Sequence, residues 1–594
     1  MLQLSICPLD RIRILLFVAV MVIPGLITVS AIEAQSSAKS ASASAYERGV
    51  AAMTAGDSAK AQSELEAALR ANPANADAQL ALGKVLLYKS DLGRAVTHLR
   101  TATKLKPNSG EAHLDLGQAL AASGQTQEAI AELRKASELS PKDAEPHRAL
   151  AHLLSAQGKN EEALTEAQEA VALAPQSAAA HDELGTLLAQ GRQYSDAEKQ
   201  FQTALQIDPQ YQQALFHIGV VHLNVGDIQA AQKELTQATD LNANDGRAFF
   251  YLGDTCQAAG DKECAIAAYQ RAATLLPDSP TVQTKLGLML QRTTDMDGTA
   301  AAFRKAIQLT PNDADAHNNL GLVLMQRGEG EAAVKEFQEA VKLRQDDPGF
   351  RANLGIAYMQ LSDFDAAEQN LRAAIKMAPD GASNHYDLAL TLKLKDNLPA
   401  AMAEMKRAIE LDPKLVDAYY TYGITLWQQG EFPAAVEQLR KAIALKPDYA
   451  EAHYTLGTVL KQMNQLPEAA QELREAIRLQ PQFAGAHTTL AAVLRQMGDT
   501  AGADAESQLG DTLVKQKIGL QGATFATNSG KRMLNAGDVD GAISQFNNAI
   551  KLAPAFAQAH YELAVALSRK GDKAAAAEEF AKAAELDPKL KPVP

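Results

Sequence analysis

The sequence predicts an all-α solenoid, in which helix pairs of one design stack along a line and no single central core forms. Three observations predict it. Prolines stand at positions 73, 107, 141, 175, 209, 277, 311, 379, 413, 447 and 481, every gap being 34 or 68 residues, with Ala243 and Gln345 in the two empty slots. Alanines at 68, 102, 136 and onward to 476 keep the same register without a break, and glycines from 49 to 457 follow it, with Ala151 and Ala389 in their gaps. A strict period of this size marks stacked supersecondary units, each too small to bury its apolar face alone. Composition agrees. The chain is 46% hydrophobic but only 5% aromatic, so its apolar mass is largely Ala and Leu, which favour helices over strands. Repetition also explains how 594 residues avoid separate large cores, because each added unit contacts only its neighbours.

The elements follow in chain order. Residues 1–34 read as a secretory signal or an N-terminal membrane anchor. Arg11 and Arg13 precede an apolar run from Ile14 to Ile23, Pro24-Gly25 interrupts it, and small residues follow around Ala31 and Ala34. Cleavage is the favoured reading, because Pro24-Gly25 and Thr28 weaken a spanning helix. Uncleaved, residues 12–31 would be the one contact with a membrane. Either way the rest of the chain is expected outside the cytoplasm, in the periplasm, secreted, or held at the inner membrane. Residues 35–41 read as a flexible Ser/Ala linker.

Thirteen units span 42–483, and residues 450–483 show their logic. Leu456, Val459 and Leu460 give the first helix its apolar face, Asn464 stops it, and Ala469, Leu473, Ala476 and Ile477 repeat the pattern in a second helix. Pro481 then ends the unit, since it cannot continue a helix. Elsewhere the stop between the helices is glycine, as at Gly260 and Gly430, which tolerates a left-handed turn. A fourteenth unit loses its pattern: Gly510 and Lys515 stand where Ala and Pro belong, so 484–522 is expected to be a degenerate repeat and hinge. Two further units fill 523–590, and 591–594 is a tail.

This 34-residue pattern of a small residue, two alanines and a proline resembles the tetratricopeptide repeat (TPR) over nearly all of the chain after the leader. The resemblance implies a right-handed superhelix of about 16 helix pairs whose first helices line a concave groove that binds other proteins, as peptide segments or helices. Exported members of this family often serve assembly or export machines. Two alternatives stay open: a regulatory or substrate-recruiting subunit of a separately encoded enzyme such as a glycosyltransferase, and a glycan-binding protein. The last unit carries no extra capping helix, which leaves self-association open.

Charge and motifs narrow the chemistry. With 57 basic against 71 acidic residues, net −14, and no polybasic run, nucleic acid is an unfavourable partner. Nothing resembles a catalytic motif or calls for a cofactor. Ser529-Gly530-Lys531 lacks the first glycine of a phosphate loop, Phe525 standing in its place. Eight histidines, among them His113, His317 and His453, occupy one slot that Tyr419 and Phe249 take elsewhere, so the slot reads as a place for a flat packing ring, not a metal ligand. Cys256 and Cys264 straddle the Gly260 turn and could close a disulfide if their Cα atoms come within roughly 4.4–6.8 Å. Two buried thiols are the favoured alternative, since symmetry about a turn does not set a distance.

The candidate binding face is an aromatic series. Tyr386, Tyr420 and Tyr454 recur every 34 residues, and Trp427 lies two helical turns beyond Tyr420 on the same face. Lys393, Lys461 and Arg495 supply donors nearby, and Asn318, Asn319 and Asn353 resemble the asparagines with which some TPR proteins hold a bound backbone. The competing reading is that the aromatic rings simply fill the crevice between successive first helices.

Overall fold

A computed structural model of the chain describes residues 25–590, in which there are thirty-one helices and no strand. They form two compact units, one ending at Leu309 and one beginning at Thr310. The first unit is a run of helix pairs that opens with α1 (Gly25–Thr54). The second carries the first helices α2 (Ala314–Gln326), α3 (Pro348–Gln360), α4 (Ala382–Leu394), α5 (Val416–Gln428), α6 (Ala450–Gln462) and α7 (Ala484–Gln496). It continues through α8 (Thr500–Asn535), α9 (Val539–Leu552) and α10 (Ala557–Lys570).

The pair 450–479 shows why the sequence folds this way. Asn464 adopts φ 59°, reversing the chain between α6 and the helix Leu466–Leu479. Asn accepts this left-handed conformation more readily than other side chains that carry a Cβ. Gly457 has no side chain because a Cβ there would lie 2.7 Å from Cγ of Leu473, so the two helices touch at that point. Ala469, Leu473 and Ala476 are fully buried in the interface. Each caps-and-turn segment then hands the chain to the next pair: Gln480 N–H bonds to the Ala476 carbonyl and Phe483 N–H to the Gln480 carbonyl around Pro481.

Successive pairs join through the third residue of each first helix. Phe350 packs with Ala340 of the preceding second helix, Ala248 with Ala238, and Ala559 with Ala549. At this slot Ala78, Ala214, Ala316, Ala418, Ala452 and Ala486 are completely buried. Most of these joints close on an alanine, and the joint at Phe350 accommodates a buried ring.

Two expectations from the sequence change. The segment 35–41 is not a spacer, since it is helical throughout and belongs to α1. Alanine favours helix, and the segment is anchored where Asn75 Nδ2 donates to the buried Ser42 Oγ at 3.0 Å. The expected hinge at 484–522 is likewise absent. α8 runs unbroken for 36 residues and fuses the second helix of the fourteenth pair to the first helix of the fifteenth. Lys515 in the proline slot keeps its N–H and continues the helix, and glycines 510, 519 and 522 each weaken a helix by about 1 kcal/mol without ending it. The apolar run Ile14–Ile23, Pro24 and the tail 591–594 lie outside the described residues. No helix among the described residues is long and apolar enough to cross a membrane.

Candidate functional site

Successive first helices are linked by polar side chains along one face. The residue at the fifth place of one helix reaches the sixth place of the next, 35 residues on. Tyr386 hydroxyl meets Thr421 Oγ1 at 3.1 Å, and Tyr420 hydroxyl meets Thr455 Oγ1 at 3.4 Å. Asn353 Nδ2 donates to Asn318 Oδ1 at 2.8 Å, and in the first unit Asp182 meets His217 at 2.8 Å in the same relation. Trp427 Nε1 donates to Gln462 Oε1 at 2.6 Å, again across 35 residues.

This geometry locates the expected site residues. Tyr386, Tyr420, Tyr454 and Trp427 fall on one face of α4, α5 and α6, half-buried, and their polar atoms (Tyr454 apart) serve as struts between helices. The rings of Tyr420 and Tyr449 lie 4.8 Å apart, and those of Tyr454 and Phe483 lie 4.7 Å apart. The crevice-filling reading therefore describes much of what these rings do. Burial raises the hydroxyls of Tyr386 and Tyr420 above their ordinary ionisation range. Asn318 is buried and engaged by Asn353, while Asn319 beside it is half-buried. Lys461 is half-buried on α6. Arg495 does not join the series, because its guanidinium pairs with Asp504 of α8 at 3.1 Å.

One residue escaped the sequence reading. Asp387, next to Tyr386, occupies the place that Thr421 and Thr455 hold in the next two helices. Burial alone pushes its carboxyl up to about 6. Six residues on, Lys393 is also half-buried, and burial pushes its ammonium group down. Neither side chain has a hydrogen bond or counter-charge among the described residues. Lys393 borders a shallow depression with Met359, Gln360, Leu390 and Leu394. The available signal was the 34-residue slot, which places Asp where its neighbours carry Thr.

The histidine slot is more than a packing ring. His453 Nδ1 faces Glu472 Oε2 at 2.6 Å in its own pair, and Nε2–H donates to the Pro447 carbonyl of the preceding turn at 3.1 Å. His317, His385, His487 and His560 repeat both contacts, and His181 does so with Gln200 in place of Glu. The glutamates recur at the 34-residue period and were visible in the sequence, but a flat-ring reading gave no reason to look for them. No group of three or more His, Cys, Asp or Glu among the described residues could hold a metal ion. Cys256 and Cys264, favoured from sequence as free thiols, are joined as a disulfide with Cα atoms 5.8 Å apart. The Gly260 turn, at φ 78°, brings the two helix ends to that distance.

Comparison with known families gives matches to models described as tetratricopeptide repeat at residues 46–95, 80–144, 217–280, 353–415 and 528–590. Further models described as TPR or tetratricopeptide repeat match 120–190, 297–328, 321–362, 425–463 and 450–483. No curated protein sequence matches the chain. Among solved structures the chain is similar to the crystal structure of MamA, at 25% identity over 28% of this chain and 96% of that one, with a TM-score of 0.27. It is similar to YrrB, described as a TPR protein with an unusual peptide-binding site, at 22% identity over 32% and 97% of the two chains, TM-score 0.28. A longer overlap, 86% of this chain and 94% of the other, links it at 14% identity and TM-score 0.29 to the Cut9–Hcn1 hetero-tetramer of the APC/C.

Proposed function

The chain belongs to the tetratricopeptide-repeat family, and on that premise we propose that it is a non-catalytic interaction scaffold of the cell envelope, holding segments of other proteins against the face of α4, α5 and α6. The observation that carries the reading is the pair Asp387 and Lys393. Two half-buried charged groups, each disfavoured in its charged form by burial, stand on the candidate face without a partner in the protein. A bound segment that offered a donor to Asp387 and an acceptor to Lys393 would offset that cost. The half-buried Tyr386, Tyr420 and Trp427 supply apolar contact beside them, with Gln428 exposed at the end of α5.

The placement in the envelope rests on residues 1–34, whose order of charge, apolar run, breaker and small residues is that of an export leader. Protein segments fit this face better than glycans do, because Tyr420 and Tyr454 already lie against Tyr449 and Phe483 and offer less open ring surface for a sugar.

Selection of peptides on the full chain from a random displayed library tests the proposal. The selected peptides are expected to lose about tenfold or more in affinity on Asp387→Asn, on Lys393→Met and on the triple change Tyr386/Tyr420/Tyr454→Ala. Unaltered affinity in all three variants overturns this location of the site.

A further inference from the structure

The fusion that creates α8 removes a partner that every neighbouring joint has. At a regular joint the third residue of a first helix is covered by the preceding second helix. In the fifteenth pair that residue is Phe525, and it is 73% exposed, because the helix that would cover it continues straight into its own. Ile518 is 63% exposed and Val514 40%. These residues belong to a longer exposed series: Asp511, Val514, Ile518, Gln521, Phe525, Asn528 and Arg532 are spaced alternately by three and four. That spacing draws one stripe along a helix and is the pattern by which two helices pack side by side. The opposite side of α8 is occupied, with Ala523 and Ala526 buried in the cluster formed with Ala549 and Ala559, and Gly519 and Gly522 lying against Leu552.

The charges on the stripe identify its occupant. Asp511 lies toward one end and Arg532 toward the other, both exposed, and neither side chain has an ion pair or hydrogen bond among the described residues. A second α8 laid parallel would set Asp511 against Asp511 and Arg532 against Arg532. Laid antiparallel, it sets each Asp511 within reach of the other copy's Arg532, and brings Val514 and Ile518 of each copy against Phe525 of the other. The stripe is self-complementary in that orientation alone, which is the requirement of a two-fold interface. We propose that α8 is a dimerisation helix, on which a second copy of this chain packs its own α8 antiparallel about a two-fold axis near Gln521. Each copy thereby supplies the other, in trans, with the covering helix that the regular joints supply in cis. The inference stands apart from the peptide-binding face of α4 to α6.

Sedimentation equilibrium of the full chain tests it. A concentration-dependent dimer is expected. Phe525→Ala and Ile518→Ser should each raise its dissociation constant by about tenfold or more. The charge reversals Asp511→Arg and Arg532→Asp should each weaken it by a similar factor, and the double reversal should return it to within about threefold of the unaltered chain. Gln521→Cys should form an inter-chain disulfide on oxidation, and Thr512→Cys, off the stripe, should not. Circular dichroism of each variant confirms that its helices are intact. A chain that stays monomeric to about 100 μM overturns the proposal. So does a dimer indifferent to Phe525→Ala, or a double reversal no tighter than the single ones. Phe525 protected from solvent in a monomer, by refolding onto its own chain or by another protein, also overturns it.

Discussion

Between α6 and α7 the chain turns back, runs through Leu466–Leu479, turns again at Pro481 and starts a new helix. Between Leu513 and Ala523 it makes no turn at all. The stretch Leu466–Gln496 and the 36 residues of α8 hold the same two parts, a second helix followed by a first helix. They differ where proline and alanine give way to Lys515 and Gly510. The comparison teaches that the repeat is defined by its stops as much as by its apolar faces. Remove one stop, and two helices become one, leaving uncovered the faces that should have met.

Truncation of the core leucine is the strongest way to press that comparison. Leu473 is fully buried between its two helices, and Leu473→Ala should cost about 2–5 kcal/mol in chemical unfolding. The matching place in α8 is Ser507, which is only half-buried, and Ser507→Ala should change stability by less than about 0.5 kcal/mol. A comparable loss at both sites would mean that α8 is packed like any other joint.

The joint slot itself comes next. Ala486 is fully buried where Phe525 is exposed, so Ala486→Phe should destabilise by about 1–3 kcal/mol through overpacking. Phe525→Ala should leave unfolding of the monomer nearly unchanged. Thermal melts of both variants at a concentration below dimerisation would show whether the slots differ as described.

The regular region also carries a pH signature. The Asp387 carboxyl is raised from an ordinary value of 3.8 to about 6 by burial. Between those values the folded state binds more protons than the unfolded one, so stability falls as pH rises through that window and stays lower above it. Asp387→Asn should therefore stabilise the protein at pH 7 by roughly 2 kcal/mol and flatten the fall between pH 4 and 6. Denaturation midpoints across that range provide the check. Unchanged midpoints would mean that the carboxylate is well solvated.

The smallest effect belongs to the histidine contacts. His453→Leu leaves Glu472 without its partner and should cost about 1–2 kcal/mol, of which the double change with Glu472→Leu should recover a part. Equal losses in the single and double variants would show that the ring, and not the pairing, matters at this slot.

How much of this was legible follows from what each residue type can say alone. The helix pairs were legible because Pro481, Asn464 and Gly457 act locally: one stops a helix, one reverses it, one admits a neighbour. The polar links from Tyr386 to Thr421 and from Asn318 to Asn353 were hidden, because each needs two helices 35 residues apart to be set side by side. Asp387 was hidden for a related reason, since its environment is made by neighbouring helices. The continuity of α8 was misread because the loss of a stop signal at Lys515 looks, in one dimension, like the loss of structure. The cysteine pair was judged on its sequence symmetry, whereas the Gly260 turn decides the distance.

The histidine contacts have one more consequence, for how the array bears load. Each ring whose Nε2–H reaches the proline carbonyl ties a pair to the turn before it, so such a joint is held by polar bonds as well as by apolar packing. At three joints in succession the slot holds Leu215, Phe249 and Gln283, and no such tie is made there among the described residues. In a chain whose units contact mainly their neighbours, extension from the two ends is resisted joint by joint, and the weakest joint yields first. Residues 212–290 are thus the stretch of the first unit that should part first under tension. The Cys256–Cys264 bond lies inside it, closing one helix pair covalently and limiting how much chain a parted joint can release.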